Sequence, residues 1–258
     1  MTAASLAFRS YEFWLAYYRR VWRGSVVSSI VNPVFYLAAL GIGLGTLVNK
    51  SSAPPGGVAY AHFVAPGLLA AAAMQIGVTE STWPVLGSFK WTRQYFAMVA
   101  TPLGPRSILA GHQLFVATRL LTSCTAYLVV IAAFGGIRSW LAVFAVPSAL
   151  LTGLAFSAPV EAFAATTESD TGFSAIFRFG VVPMFLFSGT FFPISRLPEV
   201  LQWIAYATPL WHGVDLCRGL VLGTIGVVAA LGHVLYLLAW VVGGLTLASA
   251  RYRRRLLR

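Results

Sequence analysis

The sequence predicts an all-α polytopic membrane protein, and three observations carry that prediction. Hydrophobic residues make up 58% of the 258-residue chain and charged residues 10%, where a soluble domain carries about 25% charge. Apolar runs of span length, roughly 20 residues each, recur along the whole chain. The net charge of +11 collects in arginine clusters beside those runs. Such clusters are topology signals and contacts for anionic membrane lipid, and they argue against nucleic acid as a partner.

The elements follow in order within a single domain, 1–258. Residues 1–24 lack the compact apolar stretch and small-residue cleavage site of a signal peptide. Residues 5–24 read as an amphipathic interfacial helix, with Leu6, Phe13, Trp14, Tyr17 and Val21 on one side and Arg9, Glu12, Arg19, Arg20 and Arg23 on the other. A first span is expected near 25–47, with a kink or break at Asn32–Pro33. "GIGLGT" (41–46) inside it reads as close helix packing and not as a nucleotide fingerprint. "NKSSAPPGG" (49–57) is a loop, and a second span covers about 60–80. Residues 81–106 read as a polar connection with a short helix before "TPLGP". Further spans are expected near 108–134, 140–165, 173–191 and 224–249, followed by an arginine tail.

Six spans put both termini on one side. The N-terminal segment, the 81–106 connection and the tail hold most of the arginines and lysines, so the positive-inside rule makes both termini cytoplasmic. Residues 192–222 are then external. Pro193, Pro198 and Pro209 break this segment, yet it is too apolar for a solvated loop. It reads as a re-entrant helical hairpin: a short helix over 198–207 begun by Pro198, then a second over 210–221. His212, Asp215 and Arg218, three residues apart, share a helix face.

Several chemistries are missing from the chain. The two lysines, Lys50 and Lys90, follow no Gly-rich loop, so there is no Walker A sequence. The four histidines show no HExxH or other metal spacing, no GxSxG elbow is present, and Cys124 and Cys217 form no CxxC. The acidic residues are few and form no intramembrane proton relay. This argues against an ion-coupled carrier, although a single carboxylate could serve one, and otherwise the bundle would need an energy source from another chain.

Three segments carry a family resemblance. They are "TEST" with the aromatic and basic residues after it, running into "ATPLGPRSILAGHQLFVATR"; "LTGLAF"; and "PMFLFSGTFFPISRLPEVLQWIAYATPLWHGVDLCRGLVLG". Together they resemble the permease subunit of an ABC-2 type ABC transporter, in the nodulation-factor and daunorubicin-type exporter branch. One departure is visible: the family often has Gly-Glu where this chain has Gly111-His112.

The resemblance implies a bacterial inner-membrane permease without an ATPase site of its own. ATP and Mg²⁺ would bind on a separate ABC ATPase subunit, this chain would bind no cofactor, and a second permease, identical or paralogous, would complete a dimer. Coupling to the ATPase falls to Glu80, Lys90, Arg93 and Tyr95 in the connection and to Glu12, Arg19 and Arg20 in the first helix. The substrate pathway falls to Phe35, Tyr36, Phe185, Phe187, Phe191 and Phe192, whose aromatic walls suit a lipid-like amphiphile or hydrophobic drug. An external gate falls to Gly189, Pro193, Pro198, Pro209, His212, Asp215 and Arg218. The alternatives are a glycan-exporting permease of the same superfamily and an intramembrane lipid-processing enzyme built on His212 and Asp215.

Overall fold

The computed structural model describes residues 3–45 and 58–257, and the loop expected at 49–57 lies outside the described residues. Every regular element among the described residues is helical. Helix α1 covers Ala3–Leu37 and passes into a π-helical stretch, Ala38–Leu44. Helix α2 (Tyr60–Ser81) is interrupted only at Thr82 before α3 (Trp83–Lys90), and α4 is short (Gln94–Val99). Then come α5 (Pro105–Ala133), a 3-10 turn at Trp140–Phe144, and α6 (Ala145–Ala164). Helix α7 (Thr171–Ala175), a π-helical Ile176–Val181 and α8 (Val182–Phe187) make one shorter apolar rod. The chain ends with α9 (Glu199–Tyr206), α10 (Pro209–Leu222) and α11 (Val227–Leu256). Among the described residues, four rods are long and apolar enough to cross a membrane: Tyr60–Lys90, Pro105–Ala133, Trp140–Ala164 and Val227–Leu256.

The bundle has two distinct ends. The basic end carries residues 91–104, 165–170 and the arginines that close α11, and the other end carries 134–139 and the approach to the α9–α10 hairpin. Helix α2 is central. Val64, Leu69, Ala70, Met74 and Val78 have no exposed surface, which is why this segment is apolar all round instead of amphipathic. It crosses α6 at Gly77 and Gly153. A Cβ on Gly77 would come within 2.2 Å of the Gly153 carbonyl oxygen, so only glycine allows this approach. The expected packing device at 41–46 shows no such contact at Gly43, where a Cβ would meet nothing within 4 Å.

Three expectations change. Residues 5–24 do not form a separate interfacial helix. They are the first part of α1, which stands lengthwise beside α5: Ser10 Oγ donates to the Ile108 carbonyl, Trp14 stacks on Phe115 with ring centres 5.5 Å apart, and Leu37 reaches the cavity that Ile131 and Phe134 line. The buried stripe is Ser10 and Trp14, with Tyr18 beside them, while Phe13 and Tyr17 are exposed. Gly111 is the local cause, because a Cβ there would sit 2.4 Å from the Ser10 side chain. No break interrupts α1 at Asn32–Pro33, and the π-helical turns begin five residues later.

The polar connection is also shorter than expected. Residues 83–90 continue the second rod and bury Val85, Leu86 and Phe89, which leaves only 91–104 between α3 and α5. The arginine tail is part of the last helix. Helix α11 runs through it, and Arg255 donates to the carbonyls of Ala165 and Thr167 at 3.0 Å and to Glu168 at 2.7 Å. A cation placed on the last carbonyls of α6 satisfies acceptors that a helix end leaves open.

Candidate functional site

At the basic end a buried carboxylate ties three rods together, and a serine pair beside it adds a fourth. Glu161 on α6 has no exposed surface. Its Oε1 lies 3.0 Å from His112 Nδ1 and accepts from the Tyr252 hydroxyl at 2.5 Å, and its Oε2 accepts from Gln113 Nε2. One turn earlier on the same face, Ser157 accepts from Gln113 at 2.9 Å and pairs with Ser81 at 2.7 Å. A carboxylate in an apolar interior is tolerable only when donors surround it, and here α5 and α11 supply three. The departure noted at position 112 therefore has a local meaning: His112 is a partner of Glu161, not a free surface group. Sequence reasoning missed Glu161, although a lone carboxylate inside the apolar run 140–165 was the signal that could have found it.

The residues expected to meet an ATPase divide into two groups. Glu12, Arg19, Arg20, Lys90 and Arg93 are exposed. Lys90 Nζ donates to the Glu168 carbonyl at 2.6 Å, and Arg93 turns the chain with φ of 51°. Tyr95 and Glu80 do not join them. Tyr95 is fully buried and packs edge-on against Phe89 with ring centres 4.9 Å apart. Burial and the nearby Glu161 carboxylate push its phenol up. Glu80 lies ten residues before Lys90, about 15 Å along the rod, and forms an ion pair of 3.0 Å with Arg119. A sequence interval of 81–106 could not reveal this, because α3 is helical and carries Lys90 away from Glu80.

That ion pair floors a groove of about 640 Å³ between α1 and the α2–α3 rod. Its walls include Trp14, Tyr17, Tyr18, Trp83, Trp91 and Phe115. Arg119 is fourteen residues from either end of α5. Its guanidinium lies over the Tyr18 ring at 4.9 Å, and among the described residues its Nε has no hydrogen-bond partner. The aromatics proposed for a pathway are placed differently. Phe35, Tyr36 and Phe187 are exposed, whereas Phe185 and Phe191 contact each other edge-on at 5.0 Å and pack, half-buried, against the main core. Phe192 is half-buried beside them. Among the described residues no ring contact joins the two sets.

The hairpin has the expected two-helix form. Every proline in it begins an element: Pro193 precedes the 3-10 turn Ile194–Arg196, Pro198 precedes α9, and Pro209 opens α10, where the missing N–H costs nothing. Thr208 caps α10 by accepting from the Trp211 amide. Gly189, at φ of +80°, makes the turn that starts the segment. The α9–α10 corner lies against α11 well along its length, where the Tyr236 hydroxyl donates to the Ala207 carbonyl at 2.6 Å, although Tyr206 and Ala207 are themselves exposed. Tyr236 is nine residues into α11, about 14 Å from its start.

The polar trio of α10 does not act as one cluster. Arg218 turns to α2 and the end of the fifth rod, donating to the carbonyls of Phe63 at 3.0 Å and Gly189 at 2.8 Å, with the Phe63 ring 3.9 Å away. Gly67 is the space that admits it, since a Cβ there would come within 2.9 Å of the guanidinium. His212 and Asp215 turn to α11 instead, where both meet His233.

Comparison with known proteins agrees with this architecture. The family described as ABC-2 type transporter matches residues 11–222. Nodulation protein J of Rhizobium leguminosarum bv. viciae is 33% identical over 253 residues, covering 95% of each chain. The protein of the same name from Rhizobium leguminosarum bv. trifolii is 34% identical, covering 95% of this chain and 94% of its own. That of Rhizobium meliloti is 30% identical with the same coverage. With the match spanning the rods, the groove and the hairpin alike, this chain belongs to the ABC-2 type transporter family as a membrane permease.

Proposed function

We propose that this permease is the membrane subunit of an ATP-driven exporter for an amphiphilic, lipid-like or hydrophobic substrate. ATP and Mg²⁺ bind on a separate ATPase subunit, and a second permease completes the pathway. Six spans, counting α1 and the α7–α8 rod, place both termini in the cytoplasm of a bacterial inner membrane.

The groove at Glu80 and Arg119 carries this reading. The long rods measure about 45 Å at 1.5 Å per residue, roughly 15 Å more than the hydrocarbon core. Lys90, Arg106 and the arginines that close α11 put the overhang at the basic end. The groove then stands where head groups meet acyl chains. Its aromatic walls suit an apolar tail, and an ion pair with an unpartnered guanidinium nitrogen suits a polar head. Exposed Phe35, Tyr36 and Phe187 continue the apolar surface toward a second permease. Lys90, Arg93 and the 91–104 segment form the ATPase contact, with Glu12, Arg19 and Arg20 as a second one. The hairpin caps the outer mouth. The lipid-processing alternative fares worse, because His212 and Asp215 are engaged with His233 and the Tyr206 carbonyl.

The experiment is co-purification with a candidate ABC ATPase subunit, followed by ATP hydrolysis in nanodiscs against a panel of amphiphiles. Stimulation by at least one amphiphile, lost in Arg119→Ala, supports the reading. Hydrolysis indifferent to the whole panel, or unaltered by Arg119→Ala, overturns it.

A further inference from the structure

Four polar groups form a chain across the hairpin and α11. Asp215 Oδ2 lies 3.1 Å from His233 Nε2, His233 Nδ1 lies 2.8 Å from His212 Nδ1, and His212 Nε2 lies 3.1 Å from the Tyr206 carbonyl oxygen. The proton count follows from which atoms can donate. A carbonyl only accepts, so His212 Nε2 carries a proton. The Nδ1–Nδ1 contact needs a proton on one side or the other. A carboxylate also only accepts, so the His233–Asp215 contact needs one as well. Three contacts need three protons, and two neutral imidazoles supply two. Moving protons among the sites does not change the total.

We propose that His212, His233 and Asp215 together bind one proton, held on the His233 imidazole, and that this proton fastens the α9–α10 hairpin to α11. His233 is the site because it alone touches both the carboxylate and the other imidazole. Imidazole is also the stronger base of the two partners, with an ordinary value near 6.5 against about 3.9 for an aspartic acid.

One other charge acts on Asp215, that of Arg218. On α10, Arg218 is one turn from Asp215 but is turned to the carbonyls of Phe63 and Gly189. Trp211 offers a ring 5.2 Å from that of His233, and Tyr236 on α11 stacks on His212 at 3.8 Å. The hairpin corner contributes the carbonyls of Tyr206 and Ala207 and the Tyr206 ring, which meets Trp211 edge-on at 4.6 Å. Helix α6, packed against both α10 and α11, has no titratable group between Ala145 and Val160. The proton enters from the Asp215 side, where the side chain is 47% exposed against 9% for His233. Because the fastened state holds the proton, fastening is complete at low pH and lost as pH rises through the titration of the chain.

The test is 15N NMR of histidine-labelled full chain, with its ATPase partner, in nanodiscs from pH 5 to 9. Only four histidines exist, His62, His112, His212 and His233, and single His→Gln variants assign them. One histidine, absent from His233→Gln, keeps both ring protons at pH 7.5, and Asp215→Asn lowers its midpoint by about one pH unit or more. Amide exchange of residues 199–208, corrected for intrinsic rates, rises across the same midpoint. The wild-type titration alone overturns the proposal if every histidine is neutral at pH 7.5, whatever the variants do. An imidazolium whose midpoint is unchanged in Asp215→Asn, or hairpin exchange that ignores the titration, also overturns it.

Discussion

The Tyr252 hydroxyl donates to Glu161 across 91 residues of sequence, at 2.5 Å. Through that carboxylate the end of α11 is held to α5 and α6, and through Ser157 to the end of α2. One of these rods ends at the exposed Lys90, with the exposed Arg93 three residues beyond it. The carboxylate thus sits where motion of the 91–104 segment would reach the spans.

Removing one donor should be tolerated better than removing the carboxylate. Tyr252→Phe is expected to cost about 1–2 kcal/mol, the range for a hydrogen bond to a charged group. Glu161→Leu strands His112, Gln113 and Tyr252 together and is expected to cost about 3–5 kcal/mol. Thermal unfolding in detergent checks the order. Equal melting temperatures for the two variants would contradict the account of the node.

Two adjacent glycines should respond in opposite ways. A Cβ on Gly244 would come within 2.6 Å of Pro159, whereas one on Gly243 meets nothing within 4 Å. Gly244→Ala must push α11 off α6 and is expected to destabilise by about 1–3 kcal/mol. Gly243→Ala is expected to be neutral, or to stabilise by roughly 0.5–1 kcal/mol through helix propensity. Melting curves of the two variants decide it.

Arg218 should resist conservative replacement. Its planar fork reaches carbonyls on two segments while lying over Phe63, and a lysine cannot reproduce that geometry. Arg218→Lys is expected to lower stability by about 2 kcal/mol, within the usual range for a broken buried network. It should also raise protease sensitivity in the segment 188–198. Wild-type cleavage kinetics there would show that Arg218 does not hold the turn.

The docking reading separates neighbours in sequence. Lys90→Glu with Arg93→Glu is expected to reduce stimulated ATP hydrolysis several-fold while insertion and melting temperature stay unchanged, because both side chains are exposed. Tyr95→Ala is expected to do the reverse first, losing about 3–5 kcal/mol of stability by emptying a buried aromatic site. Unchanged stimulation in the double reversal would remove the 91–104 segment from the coupling path.

Prolines and apolar runs were legible because they act locally. Pro198 and Pro209 announced the starts of α9 and α10 within a residue, since a ring without an N–H is at home only in a first turn. The rods after residue 105 match the apolar runs for the same reason. The extent of the first helix was misread because its arginines suggested a separate element, while it runs on to Leu37 against a stripe on α5 made possible by Gly111. The 81–106 interval was misread because polar residues concealed Val85, Leu86 and Phe89, whose burial keeps the rod going.

By itself, then, the sequence determined a membrane bundle of apolar rods with a proline-punctuated hairpin before the last one, since length, periodicity and missing N–H groups are properties of neighbouring residues. Only the tertiary structure decided which sparse polar groups meet: Glu80 with Arg119, Glu161 with His112 and Tyr252, and Asp215 with His233. In an apolar interior each such group must find its partner on another rod, and that choice is made by packing across the fold and not by spacing along the chain.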